Sequence, residues 1–188
     1  MGLDMYLIRK KFIGAKYEHQ KVTGKIEIKI DGKTIPIDIN RISYIDEEVG
    51  YWRNANHIHK WFVDNVQDGV DDCGDYEVFT SHLKELLEVC KKVRDTAILK
   101  KGKVLVGKHY VDGKLEEIYE DGEYIVNGDE IADILPTEEG FFFGSTDYDE
   151  WYMKDIIYTI NTIEQLLKEE EELNKLGFYS DFEYHSSW

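Results

Sequence analysis

The sequence predicts an α+β fold: a mainly antiparallel sheet packed against three helices, with a β-hairpin insertion. Three observations predict it. Segments of alternating apolar and polar residues stand near both ends of the chain, in LDMYLIRK and FYSDFEY. Three stretches between them repeat apolar residues at helical spacing. Only two prolines occur in 188 residues, with no internal repeat and no long linker, so strands and helices alternate within one unit.

Taken in order, residues 3–10 and 24–30 read as strands. KIEIKI alternates cleanly, and Asp31-Gly32 signals a tight hairpin turn into KTIPIDI, 33–39. RISYI, 41–45, reads as a further strand. A first helix is expected over 53–67, stopped by Asp68-Gly69, with Ala55, Ile58, Phe62 and Val66 on its core face. A short strand follows at Tyr76–Phe79. A second helix is expected over 81–96, where Leu83, Leu86, Leu87, Cys90 and Val93 form one buried face. Residues 99–128 lose helical periodicity. Their turn signals at Asp112-Gly113, Asp121-Gly122 and Asn127-Gly128 predict a hairpin or small meander inserted into a single domain spanning 1–188. The third helix is expected over 149–176, closed by Gly177, with Tyr152, Ile156, Ile160, Ile163 and Leu167 inward. Residues 178–184 then add a last strand.

Composition excludes several classes. The formal charge is −16, from 39 acidic against 23 basic residues. Such a field repels nucleic-acid backbones and anionic membranes and favours basic surfaces. Cys73 and Cys90 cannot make a disulfide framework. A reducing compartment is expected, and with no apolar leader at MGLDMYLIRKKF, so is a cytoplasmic location. No nucleophile elbow, phosphate-binding loop or dinucleotide fingerprint occurs. No catalytic residue, cofactor or metal is therefore assigned.

The stretch 48–74, EVGYWRNANHIHKWFVDNVQDGVDDCG, crowds Trp, His, Arg, Asn and Asp together. On a helical wheel Arg53, His57 and Trp61 form a stripe separate from the core face, and Asp64 joins it. The third helix carries a second stripe of Trp151, Asp155, Tyr158 and Thr162. Each stripe reads either as a helix interface or as the wall of a pocket. Flat rings with an Arg and carboxylates suit a nucleobase or ribose. Gly144-Ser145-Thr146-Asp147 precedes a helix, where backbone N–H groups can hold a phosphate; Asp147 or Asp149 there can equally be an N-cap. Asp71-Asp72-Cys73-Gly74 reads as carboxylates for a cation or as an Asx turn. The candidate ligand-binding residues are Trp52, Arg53, Asn56, His57, Trp61 and Asp72, with Ser145, Asp147 and Trp151.

MGLDMYL, EVGYWRNANHIHKWFV, NVQDGVDDCGDY, GFFFGSTDYDEWY and the closing SSW together resemble a family of small proteins of bacteriophages and prophages. The resemblance spans most of the chain outside about 94–130. It implies a setting rather than a mechanism. Accessory phage proteins often act against host defence, some by capturing nucleotide signals without cleaving them. The leading expectation is thus a sponge for a nucleotide-like small molecule, with no nucleic acid or membrane partner and with room for a homo-oligomer. The alternatives are an acidic inhibitor or nucleic-acid mimic that binds a host enzyme, and a nucleotide-processing enzyme using Asp71, Asp72 and His57.

Overall fold

The computed structural model describes residues 2–14, 24–111 and 114–188. They form an α+β fold. The strands are β1 (Asp4–Phe12), β2 (Ile28–Ile30), β3 (Lys33–Ile35), β4 (Tyr44–Arg53), β5 (Asp75–Val78), β6 (Leu99–Val111), β7 (Lys114–Ile125) and β8 (Ser180–Ser187). The helices are α1 (Asn56–Asn65), α2 (Thr80–Thr96), α3 (Gly128–Ala132) and α4 (Glu150–Lys175).

One four-stranded antiparallel sheet, in the order β4-β1-β8-β5, carries the core. β1 and β8 are neighbours at its centre, paired from Asp4↔Ser187 to Lys11↔Ser180. Successive side chains alternate between faces. Met5, Leu7 and Trp52 face inward with Phe182 and Tyr184, all buried, while Tyr6, Tyr51 and His185 meet on the other face. The inward face is covered by helices. Leu83, Leu86, Leu87, Cys90 and Val93 of α2 are all buried, so the spacing read from the sequence is the packed face. Burial pushes the Cys90 thiol up to about 12, leaving it inert. On α4, Tyr152, Ile156, Ile160 and Ile163 are buried, and Leu166 rather than Leu167 completes the row. Gly177 has φ +73°. Its N–H reaches Asn174 O and that of Phe178 reaches Leu173 O, a Schellman closure that glycine favours.

The strand read over 24–30 is only Ile28–Ile30, and the one read over 41–45 starts only at Tyr44, as the beginning of β4. Four further departures are larger. β4 continues through Arg53, so Trp52 and Arg53 are strand residues and α1 begins only at Asn56. The proposed stripe therefore loses its first member. What makes this segment a strand is cross-strand pairing: Glu47 sits opposite Arg9 and accepts hydrogen bonds from Arg9 and Lys11. Asn54, at φ 59°, ends it. Second, the strand expected over 33–39 stops at Ile35. Pro36 offers no N–H to a ladder, and Asp38 accepts the Asn40 N–H to start a 3-10 turn at Ile39–Arg41. Third, β6 and β7 form one hairpin in which Asp121-Gly122 lies mid-strand, with Gly122 opposite Gly102; the Asp112-Gly113 turn lies outside the described residues. Asn127-Gly128 opens α3, and the Asn127 side chain bonds Ile98 N, Thr96 O and Glu130. Fourth, the last strand runs from Ser180 to Ser187 rather than from 178 to 184. The hairpin base is tied to the segment before α4 by Ile125 N–H to Tyr148 O and a Tyr124↔Asp149 bridge.

Candidate functional site

A cleft of about 470 Å³ opens between the hairpin and the N-terminus of α4. The β4–α1 junction contributes Arg53 and His57. The loop before α4 contributes Ser145, Asp147 and Asp149. The first turns of α4 contribute Trp151, Tyr152 and Asp155, and the hairpin closes the cleft with Leu105, Val106 and Glu120.

Local backbone chemistry explains why these segments meet. Gly144 has φ +86°, and a Cβ there would sit 2.8 Å from Asn54 Cβ. Only glycine lets the loop approach the β4–α1 turn so closely. Asn56, 1% exposed, then fastens the loop. Its Nδ2 donates to Phe143 O (3.0 Å) and Ser145 O (2.7 Å), and its Oδ1 accepts Glu138 N–H (3.1 Å). Ser145 Oγ donates to Asp147 Oδ2 and accepts Asp147 N–H, closing a small turn. Asp149 caps α4, accepting from Trp151 N (2.8 Å) and Tyr152 N (3.1 Å). That carboxylate already occupies the Trp151 and Tyr152 N–H groups, so these two are not open to a phosphate.

Electrostatics differ sharply within the cleft. The His57 imidazole is 3% exposed and lies against Tyr152, ring centroids 4.1 Å apart. Burial pushes it down to about 3, so the ring is neutral at physiological pH. Its Nε2 has no hydrogen-bond partner among the described residues. The Asp155 carboxyl is pushed up to about 7 by burial and by the neighbouring Asp149 charge. Burial also raises Asp149, against the lowering effect of the Tyr152 and Trp151 N–H groups. Arg53 is the cation of the cleft. Its side chain is 60% exposed, with Asp4 3.8 Å away. Trp151 is 59% exposed and carries Lys154 Nζ 3.7 Å from its ring centre.

Of the nine residues singled out in the sequence, Arg53, His57, Ser145, Asp147 and Trp151 line this one cleft, and Asn56 holds its wall. The other three are placed elsewhere. Trp52 is a core residue whose indole N–H donates to Thr159 Oγ1 at 2.8 Å. Trp61 is 7% exposed and packs edge-on against Phe62. Asp72 forms the Asx turn, accepting Gly74 N–H and Tyr76 OH. Trp52 is buried where β4 packs against α1 and α4, its ring meeting Phe62 and Tyr158. Trp61 is buried because α1 is covered on two sides: Phe62 stacks on Tyr184 of the sheet, and His59 meets Phe143 of the loop. Sequence reasoning placed Asp155 on a stripe without assigning it to the site. It had no local signal for Leu105, Val106 or Glu120, which only the hairpin's placement brings in.

Among the described residues no group of three or more His, Cys, Asp or Glu side chains is arranged to hold a metal ion. No helix among them is long and apolar enough to cross a membrane. Compared with family models, curated proteins and solved structures, the chain matches none.

Proposed function

We propose that the protein binds a nucleotide-like small molecule in this cleft and holds it without consuming it, as a sequestering accessory protein of a phage or prophage. The observation that carries the reading is the convergence of Arg53, Trp151 and the buried His57, with its unpartnered Nε2, on one cavity. The volume lies within the range of small-molecule sites, roughly 300–1,000 Å³. A neighbouring cavity of about 380 Å³ shares Leu105, Asp147 and Asp149 and adds Tyr119, Tyr124 and Lys103. Two lobes with rings in each suit a ligand with two planar groups.

The lining also restricts the ligand. Glu120, Asp147, Asp149 and Asp155 outnumber Arg53 around the first lobe. Carboxylates accept from base amino and imino groups and repel phosphate. The ligand expected is therefore poor in phosphate, with donor groups on its bases and an anionic group near Arg53. Stacking contributes roughly 1–3 kcal/mol per base, and a charge-assisted contact roughly 1.5–3 kcal/mol. Two of each give a gross total of about 5–12 kcal/mol before association costs. Micromolar affinity needs about 8 kcal/mol net, so preorganisation by Asn56 and Gly144 is required. Calorimetry with cyclic dinucleotides, cyclic trinucleotides, ADP-ribose derivatives and plain nucleosides tests the reading, with Arg53→Ala and Trp151→Ala as variants that should bind more weakly and remain folded.

A second reading is favoured by one observation. A carboxyl titrating near 7 beside a cavity, as Asp155 does, has the pKa that general-base chemistry needs. Recovery of a cleaved ligand would assign the cleft to a nucleotide-processing enzyme.

A further inference from the structure

We propose that a second cleft, built from α1, the loops around 69–71 and 138–143, and Trp188, binds the guanidinium group of an organic cation. It does not rest on the reading of the first cleft. The cavity measures about 520 Å³ and combines two kinds of wall. One is aromatic. Phe141 is 95% exposed, and its ring stands at 89° to Phe142 with centroids 4.7 Å apart. Trp188 completes this wall. Its ring meets Phe143, and its indole N–H donates to Asp71 Oδ1 at 3.0 Å, which fixes the plane.

The other wall is acidic. Asp64, Asp71, Glu138 and Glu139 face a single ammonium, Lys60. Lys60 Nζ is already held by Asp64 at 3.3 Å and Glu138 at 3.0 Å, so Asp71 and Glu139 remain uncompensated by any lysine or arginine among the described residues. On the floor, His59 is 1% exposed, with Nδ1 bonded to Tyr184 OH at 2.7 Å. Its Nε2 lies 3.1 Å from Asp71 Oδ2 but completes no hydrogen bond. The cleft thus offers ring faces, uncompensated negative charge and a buried polar atom without a hydrogen bond. A guanidinium matches all three. It stacks on aromatic rings, pairs in a planar fork with a carboxylate and donates to a ring nitrogen, which neither a metal ion nor a neutral apolar group does.

The test uses N-butylguanidinium and its neutral, planar isostere N-butylurea, titrated into the full chain while the Trp188 indole N–H signal is followed by NMR, assigned with Trp188→Phe. N-butylguanidinium should shift the signal saturably and bind at least about tenfold tighter than the urea. Asp71→Asn should remove most of that difference. Phe141→Ala, at a 95% exposed position outside the core, should weaken guanidinium binding about fivefold with the fold intact. A Gly-Arg-Gly amide binding tighter than agmatine would assign the cation to a protein side chain, and the reverse to a free molecule. Equal affinity for guanidinium and urea, or no saturable shift with either, overturns the proposal.

Discussion

Replacing Asn56 with alanine removes three hydrogen bonds that bind the β4–α1 junction to the 138–145 loop. The three do not carry equal weight. The bond to Phe143 O is fully buried, so an orphaned carbonyl there bears the desolvation penalty of about 1–3 kcal/mol. The bonds to Ser145 O and from Glu138 N–H are partly buried, and water can replace them, at a loss of about 0.5–1.5 kcal/mol each. The sum is about 4 kcal/mol, a large share of the 5–15 kcal/mol that stabilises an ordinary domain. With a urea dependence of about 2 kcal/mol per molar, the midpoint should fall by about 2 M, followed by tryptophan fluorescence. Asn56→Asp should be at least as damaging, because a carboxylate cannot donate to the two carbonyls. A loss under about 0.5 kcal/mol, within the range of an ordinary surface substitution, would show that other contacts hold the loop and would refute the account of how the cleft is built.

Further outcomes follow from the structure. Arg9 is buried with Glu47, Glu169 and Glu170 around it; Arg9→Met leaves the buried Glu170 without its cation and should cost about 3–5 kcal/mol in denaturant titrations. Burial would raise Glu47, but hydrogen bonds from Lys11 and Arg9 hold it below 4.5, and Gln165 with Arg9 does the same for Glu169. Their stabilisation is present above pH 4.5 and lost as pH falls through the lowered values, so the acid limb of the stability curve should flatten in Arg9→Met. Asp155 has the opposite sign: raised from 3.8 to about 7, it contributes stability that is full below pH 3.8 and lost as pH rises through 7. Asp155→Asn should equal the wild type in stability near pH 4 and exceed it at pH 8, in urea titrations at each pH. Trp61→Ala should cost about 3–5 kcal/mol as a core truncation and so report on folding rather than on binding.

Local periodicity carried much of the fold. The α2 face and the Gly177 closure are set by neighbours in the chain, and the structure has them where the spacing placed them. The end of β4 was hidden because its evidence is non-local. Arg9 pairs opposite Glu47, and Lys11, opposite Ile45, reaches the same carboxylate; neither contact is visible in the segment itself. The site divided along the same line. Arg53, His57, Ser145, Asp147 and Trp151 stand out as unusual residues near element ends and share a cleft. Trp52 and Trp61 stand out equally and are core: Trp52 is a strand residue packed under α4, and a helix packed on two sides leaves Trp61 no free stripe to mark. Asp155 follows Trp151 into the cleft one turn along α4, and only the hairpin residues join it through tertiary placement alone.

The most direct test of the central claim is calorimetry of the full chain against the nucleotide panel, followed by denaturation and chromatography of the recovered ligand. The account predicts saturable, micromolar or tighter binding of a member poor in phosphate, weakened by Arg53→Ala and Trp151→Ala, and release of the ligand unchanged. Absence of binding to every member, or binding that is indifferent to both Arg53 and Trp151, would contradict it.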